Sequence, residues 1–179
     1  MASALVLLAD GFEEIEAVTI VDVLRRGEVS VTTASLGGKH VRGSHDIVVE
    51  SDVLLASVSV DDYDALVLPG GPAAKTLREA LPAQTAIKRA AATGKLLAAV
   101  CAGSTALEVA GVLVGKRATV YFGNQLPSAE LVEARVVEDG NVITSRGPAT
   151  AMDFALKIVE RLSGAAVAKT TAEKLLFVM

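Results

Sequence analysis

The sequence predicts an α/β fold: a flavodoxin-like three-layer sandwich, with a mostly parallel sheet, helices on both faces and a nucleophile elbow. Three observations point there. Near-continuous apolar runs at Ala4–Ala9, Ala65–Leu68 and Leu96–Val100 read as strands covered on both faces. Stretches with helical periodicity separate the strands, and such alternation builds a mostly parallel sheet. The three runs end in turns of mostly small residues: Asp10-Gly11, Pro69-Gly70-Gly71-Pro72 and Cys101-Ala102-Gly103.

At 179 residues the chain has the length of one domain, taken as 1–179, with enough material for a core. Apolar residues make up 51% and charged residues 21%, the balance of a globular protein. A net charge of −4, 3% aromatic residues and no Trp leave no nucleic-acid footprint, which needs a basic groove and stacking platforms. One cysteine makes no internal disulfide, so nothing asks for an oxidising compartment. Ala2–Ala9 is short, lacks a preceding basic segment and runs directly into Asp10-Gly11, so it reads as a first strand and not a signal peptide. No apolar run is long enough to span a bilayer, and a cytoplasmic location is expected.

Each element follows in order. After the first strand, Glu13–Arg26 reads as a helix with acidic residues in its first turn, where the helix dipole favours them. Glu16, Ile20 and Val23 share one stripe, which places a carboxylate along an apolar face. Ala17, Val18, Val21 and Leu24 widen the apolar surface beyond what one sheet needs, which hints at a subunit contact. Val29–Ala34 is a second strand, and Val41 with Ile47–Val49 suggests an antiparallel excursion carrying both histidines, His40 and His45. Asp52–Asp64 is a connector. Beyond Ala65–Leu68, Ala73–Ala80 and Ala83–Ala92 read as helices broken at Pro82. Ser104 and Thr105 suit the start of the helix after the elbow strand. Ala118–Phe122 reads as a strand, Arg135–Val137 and Asn141–Thr144 as a hairpin, and Ala151–Leu162 and Ala165–Phe177 as helices.

Ligands in such sheets bind beyond the carboxyl ends of the strands, where Gly11–Glu16, Gly70-Gly71 and Cys101 all fall. A cysteine on a strained strand-to-helix turn can add to a carbonyl carbon, and a helix amino terminus is expected to lower its pKa. The resulting oxyanion needs donors already aimed at it, for which the backbone N–H groups of Ala102 and Gly71 are candidates. Glu16, desolvated on its stripe, is expected to have a raised pKa and to donate to and shuttle protons with Cys101. The alternative for each residue alone is structural: a buried cysteine, a solvent-facing carboxylate, a plain turn. A partial P-loop spacing at Gly70–Thr76 lacks the glycine before Lys75, and Pro72 removes an amide donor, so phosphate binding is discounted. One Cys and two loop histidines show no metal-ligand spacing.

Leu5–Glu16, Val67–Gly71, Ala98–Gly103 and Thr144–Pro148 together resemble the ThiJ/PfpI superfamily, and within it the branch of the Parkinson-disease-associated protein deglycase, or glutathione-independent glyoxalase III. The resemblance spans nearly the whole chain. It implies a homodimer with no cofactor and an oxidisable cysteine, here Cys101, bonded to a protonated glutamate, here Glu16. It also implies conversion of methylglyoxal to lactate, or deglycation of early methylglyoxal adducts on protein or nucleotide, with protection against carbonyl and oxidative stress. The alternative it carries is a redox-sensing regulator or chaperone whose cysteine becomes a sulfinate with little turnover. Two relatives are excluded: the protease-like members carry a His after the nucleophile, where this chain has Ala102, and the amidotransferases need a later His-x-Glu that this chain lacks. The deglycase branch also usually has a His at the position that matches Tyr121, and some relatives have an Arg where His45 stands.

Overall fold

The computed structural model of the chain describes residues 1–178. Strand β1 (Ser3–Leu8) leads to helix α1 (Glu14–Arg26) and strand β2 (Ser30–Ser35). The hairpin β3 (His40–Arg42) and β4 (Val48–Glu50), then a two-residue strand β5 (Val53–Leu54), precede β6 (Ala65–Leu68). Helices α2 (Ala74–Glu79) and α3 (Leu81–Ala92), strand β7 (Leu96–Val100) and helix α4 (Ser104–Val109) follow. The chain continues through β8 (Arg117–Ala118), β9 (Glu130–Leu131), β10 (Val136–Asp139) and β11 (Val142–Ser145) to α5 (Ala151–Ser163) and α6 (Ala165–Lys174).

Seven strands form one sheet in the order β10-β11-β7-β6-β1-β2-β5. Neighbours are parallel except the β10–β11 hairpin. Alternate residues of β1 serve opposite faces, as the strand pleat requires. Ala4, Val6 and Leu8 pack with Ile20 and Leu24 of α1 and Phe154 and Ile158 of α5. Leu5 and Leu7 pack with Leu77 of α2, Ile87 of α3 and Leu107 of α4. Two covered faces are the reason the strand sequences are unbroken apolar runs. From β1 the chain first moves one way to β2, then returns to β6 on the other side, so the order reverses at β1. That reversal opens the crevice beyond the carboxyl ends of β1, β6 and β7.

Several boundaries differ from the sequence expectation. The break between α2 and α3 falls at Ala80, whose backbone is extended, and Pro82 lies inside the first turn of α3, where its missing N–H costs nothing. The expected strand 118–122 shrinks to Arg117–Ala118, pairs with β9 and stands apart from the main sheet. The connector 52–64 carries β5, which pairs with β2 at the sheet edge. The last helix ends at Lys174, and Leu176 takes a positive φ of 55°.

Candidate active site

Three turns at the carboxyl edge pack backbone against backbone. Glu13 caps α1 by accepting the Glu16 N–H at 2.7 Å, and its own N–H donates to the Gly70 carbonyl at 3.2 Å. Gly70 returns the link, donating its N–H to Glu16 Oε2 at 2.7 Å. A Cβ on Gly70 would stand 2.6 Å from the Cys101 Cβ and 2.8 Å from Glu16 Oε2, so only glycine fits between nucleophile and carboxylate. Gly71, at φ +82°, approaches the Gly11 carbonyl and the Glu13 amide so closely that a Cβ would lie 2.5 and 2.7 Å from them. Its left-handed φ also suits glycine.

The elbow is a 3-10 turn, Cys101–Gly103, between β7 and α4. Cys101 itself has φ +59°, a conformation costly for a residue with a Cβ and held only when its surroundings over-determine it. Its side chain is nearly enclosed, at 5% exposure, and Glu16 is fully buried. The Glu16 carboxyl lies against the thiol, and its Oε1 is buried without a hydrogen-bond partner. The N–H groups of Ala102 and Gly71 face the sulfur. Thus Cys101, Glu16, Gly71 and Ala102, named from the sequence, converge in space.

The electrostatics correct one expectation. The turn amides do favour a charged sulfur, but burial and the adjacent Glu16 carboxylate outweigh them and push the Cys101 thiol up to about 12. Burial likewise pushes Glu16 up to about 7, against the opposing hydrogen bonds from Gly70 and Cys101. Facing groups titrate as a pair. The pair takes one negative charge near pH 7 and resists a second, so one proton is shared between sulfur and carboxylate at and above neutrality.

Tyr121, at the position of the branch's histidine, and His45 take different places relative to that pair. The Tyr121 ring packs over Gly147 and against Phe122 (centroids 4.3 Å apart), in the same apolar cluster as Cys101 and Ala102. Beside it a cleft of about 290 Å³ is lined by Phe122, Leu131, Glu133 and Arg146. His45 is held elsewhere: its ring Nδ1 lies 2.9 Å from Glu14 Oε2 and its N–H donates to Glu14 Oε1 at 2.6 Å. Sequence reasoning missed Glu14. Burial alone would raise its pKa, yet the His45 ring, the His45 amide and the Ser44 hydroxyl bring it down to about 2. Glu13, Glu14 and His45 place ligand-type atoms within 4.8 Å of one another, but Glu14 and His45 are already spent on each other and Glu13 on the Glu16 amide. On the outer side of α1, Ile15 and Val18 are more than half exposed, and a cleft of about 310 Å³ is lined by Phe12, Val18, Val21 and Val49.

The DJ-1/PfpI family model matches residues 2–161. The chain belongs to the DJ-1/PfpI family. It is 42% identical over 180 residues to protein dj-1beta of Drosophila melanogaster, covering 97% of this chain and 96% of that one. The crystal structure of Drosophila DJ-1beta superposes with a TM-score of 0.95 over 99% of each chain. The glutathione-independent glyoxalase DJR-1.2 of Caenorhabditis elegans is 36% identical over 90% of this chain and 89% of its own. The structure of oxidised Toxoplasma gondii DJ-1 matches all of both chains at 37% identity with a TM-score of 0.95. The flavodoxin-like fold expected from the sequence is therefore the fold of this DJ-1/PfpI member, and its family includes a glyoxalase. No helix among the described residues is long and apolar enough to cross a membrane.

Proposed function

We propose that this DJ-1/PfpI member is a cofactor-independent glyoxalase that converts methylglyoxal to lactate, and a deglycase for early methylglyoxal adducts on protein or nucleotide. The observation that carries the reading is the buried Cys101–Glu16 pair with the Gly71 and Ala102 amides at the sulfur. Transfer of the shared proton to Glu16 frees the thiolate, which adds to the aldehyde carbon and forms a C–S bond. The alkoxide oxygen is held by the two amides and takes the proton from Glu16, which is then a carboxylate again. Glu16 removes the proton from that carbon and returns it to the neighbouring carbonyl carbon, giving a lactoyl thioester on Cys101. Water cleaves the thioester and releases lactate and the thiol. The sequence is an internal redox rearrangement plus one hydrolysis, so it needs no external oxidant, metal or glutathione. The 5% exposure of Cys101 favours a three-carbon dicarbonyl over a bulky adduct. A homodimer joined through the exposed Ile15 and Val18 of α1, and a cytoplasmic role in carbonyl and oxidative stress, complete the proposal.

A second reading is supported by Tyr121 standing where the family branch has a histidine, since a phenol is a poor base near neutrality. In it, peroxide oxidises the Cys101 thiolate to sulfenate and then sulfinate, each step consuming one peroxide, and the protein acts as a redox sensor or chaperone. The Toxoplasma relative, whose structure is of an oxidised form, is compatible with it.

The test is lactate formation from methylglyoxal without glutathione by the native protein, Cys101→Ser and Glu16→Ala. Lactate from the native protein alone is expected. Activity retained in either variant rejects this mechanism. A folded, reduced native protein that makes none, yet gains two oxygens at Cys101 alone under mild peroxide, establishes the sensor reading instead.

A further inference from the structure

Helices α2 and α4 follow the two turns that supply the amides, and each has only six residues. Helices that short are not stable by themselves, so their placement depends on what they contact. Two polar links, one buried and one part-buried, join them. Gln84 of α3 donates from its single side-chain nitrogen to the Leu77 carbonyl of α2 at 3.0 Å and to the Ala106 carbonyl of α4 at 3.2 Å. Its Oε1 is buried with no partner, a desolvation cost that an apolar residue would avoid. The second link is a relay. Arg78 of α2 donates to Thr105 Oγ1 at 3.1 Å, and Thr105 donates to the Ala102 carbonyl at 2.6 Å. That carbonyl belongs to the residue that follows the strained Cys101 and whose N–H faces its sulfur.

We propose that Gln84, Thr105 and Arg78 are positioning residues that clamp α2 to α4 and so set the separation and aim of the Gly71 and Ala102 N–H groups at the Cys101 sulfur. The proposal rests on the reading of those amides as the stabilisers of charge at the site. It does not depend on which substrate the site takes. None of the three touches the sulfur. Gln84 is neutral, and Arg78 acts through the Thr105 hydroxyl, so their effect is geometric.

The clamp has a signature that packing alone lacks. Above about pH 7 the pair holds one proton, so the thiolate fraction depends only on how that proton divides between sulfur and carboxylate. Alkylation of Cys101 by iodoacetamide then rises with pH to a plateau that begins near 7. Its height reports how well the amides hold the thiolate; the step near 7 reports Glu16, which all the variants retain. Mis-aimed amides lower the plateau without moving the step. For Thr105→Val and Gln84→Met the plateau is expected to fall roughly tenfold, less than the loss of an oxyanion donor outright. Thr105→Ser, which keeps the hydroxyl, restores it, and Arg78→Lys gives a smaller loss than Arg78→Met. If Thr105→Val and Gln84→Met melt at lower temperature but keep the native plateau, the residues are only structural and the proposal fails. Should either variant not fold, Arg78→Met at the exposed end of the relay decides by the same plateau. A native protein that makes no lactate would reject the glyoxalase reading and leave this comparison intact, since alkylation needs no turnover.

Discussion

Glu14 and Glu16 lie two residues apart in the first turn of α1, both are buried, and they titrate in opposite directions. Glu14 accepts from the Ser44 hydroxyl, the His45 amide and the His45 ring. Glu16 accepts one backbone N–H and otherwise faces a thiol. The difference is the supply of donors: three groups held by one loop keep Glu14 charged, whereas burial without them keeps Glu16 protonated until about pH 7. One carboxylate therefore fastens the β3–β4 hairpin to α1, and its neighbour is left available for proton transfer. Burial by itself does not say which role a carboxylate takes.

The largest effect is expected on the Glu16 side. Glu16→Gln removes the proton carrier, and lactate formation should fall by about 10²-fold or more. It also removes a stability penalty. Because Glu16 titrates higher in the folded state than unfolded, the folded protein binds more protons between the ordinary carboxylate value of 4.5 and about 7, and stability falls as pH rises through that window. Chemical denaturation at pH 4.5 and pH 8 should show a native loss of about 3 kcal/mol that the Gln variant lacks.

On the Glu14 side the expected losses are in stability and not in chemistry. Glu14→Gln keeps the shape but loses the charge-assisted bonds, at a cost of about 1–3 kcal/mol read by denaturant melts. Gly43→Ala belongs with it, since a Cβ there overlaps the Glu14 carboxylate and must lever the loop away. Both variants should raise hydrogen exchange in the hairpin while Cys101 alkylation stays near the native rate. The smallest effect is that of His45→Asn, because the ring is 72% exposed. Glu14 titrates low, so the clamp weakens as pH falls below 4.5 toward about 2. His45 titrates high, so its share is present below 6.5 and is lost as pH rises through its elevated pKa. The Asn variant should thus differ from the native protein most at mildly acid pH and converge with it at alkaline pH, as followed by thermal melts.

How much of this the sequence discloses follows from the range of each interaction. Leu96–Val100 followed by Cys101 and Gly103 shows the elbow because strand, nucleophile and turn are contiguous. Gly70-Gly71 shows a tight turn, and the apolar stripe through Ile20 and Val23 shows that Glu16 is desolvated. Glu14 is different. Its donors arrive from residues 44 and 45, and a first-turn glutamate and a loop histidine carry no local mark of each other. Gln84 and Thr105 are hidden for the same reason, since a Gln in a helix and a Thr near a helix start are ordinary until α2, α3 and α4 are packed. The Cys101 shift ran opposite to expectation because the turn amides are legible locally, whereas the enclosing core and the Glu16 charge arrive from elsewhere in the chain. The expected strand 118–122 is cut short beyond Ala118, where the Thr119 amide bonds to the Thr144 hydroxyl in place of a ladder partner.

The most direct measurement is the rate of Cys101 alkylation against pH in the native protein and in Glu16→Gln, with intact mass confirming a single modified site. If sulfur and carboxylate share one proton, the native rate rises to a plateau beginning near pH 7, whereas the Gln variant has no step near 7 and climbs through a single thiol titration at higher pH. Superimposable profiles would mean that Glu16 does not govern the cysteine, and the account of this site would be wrong.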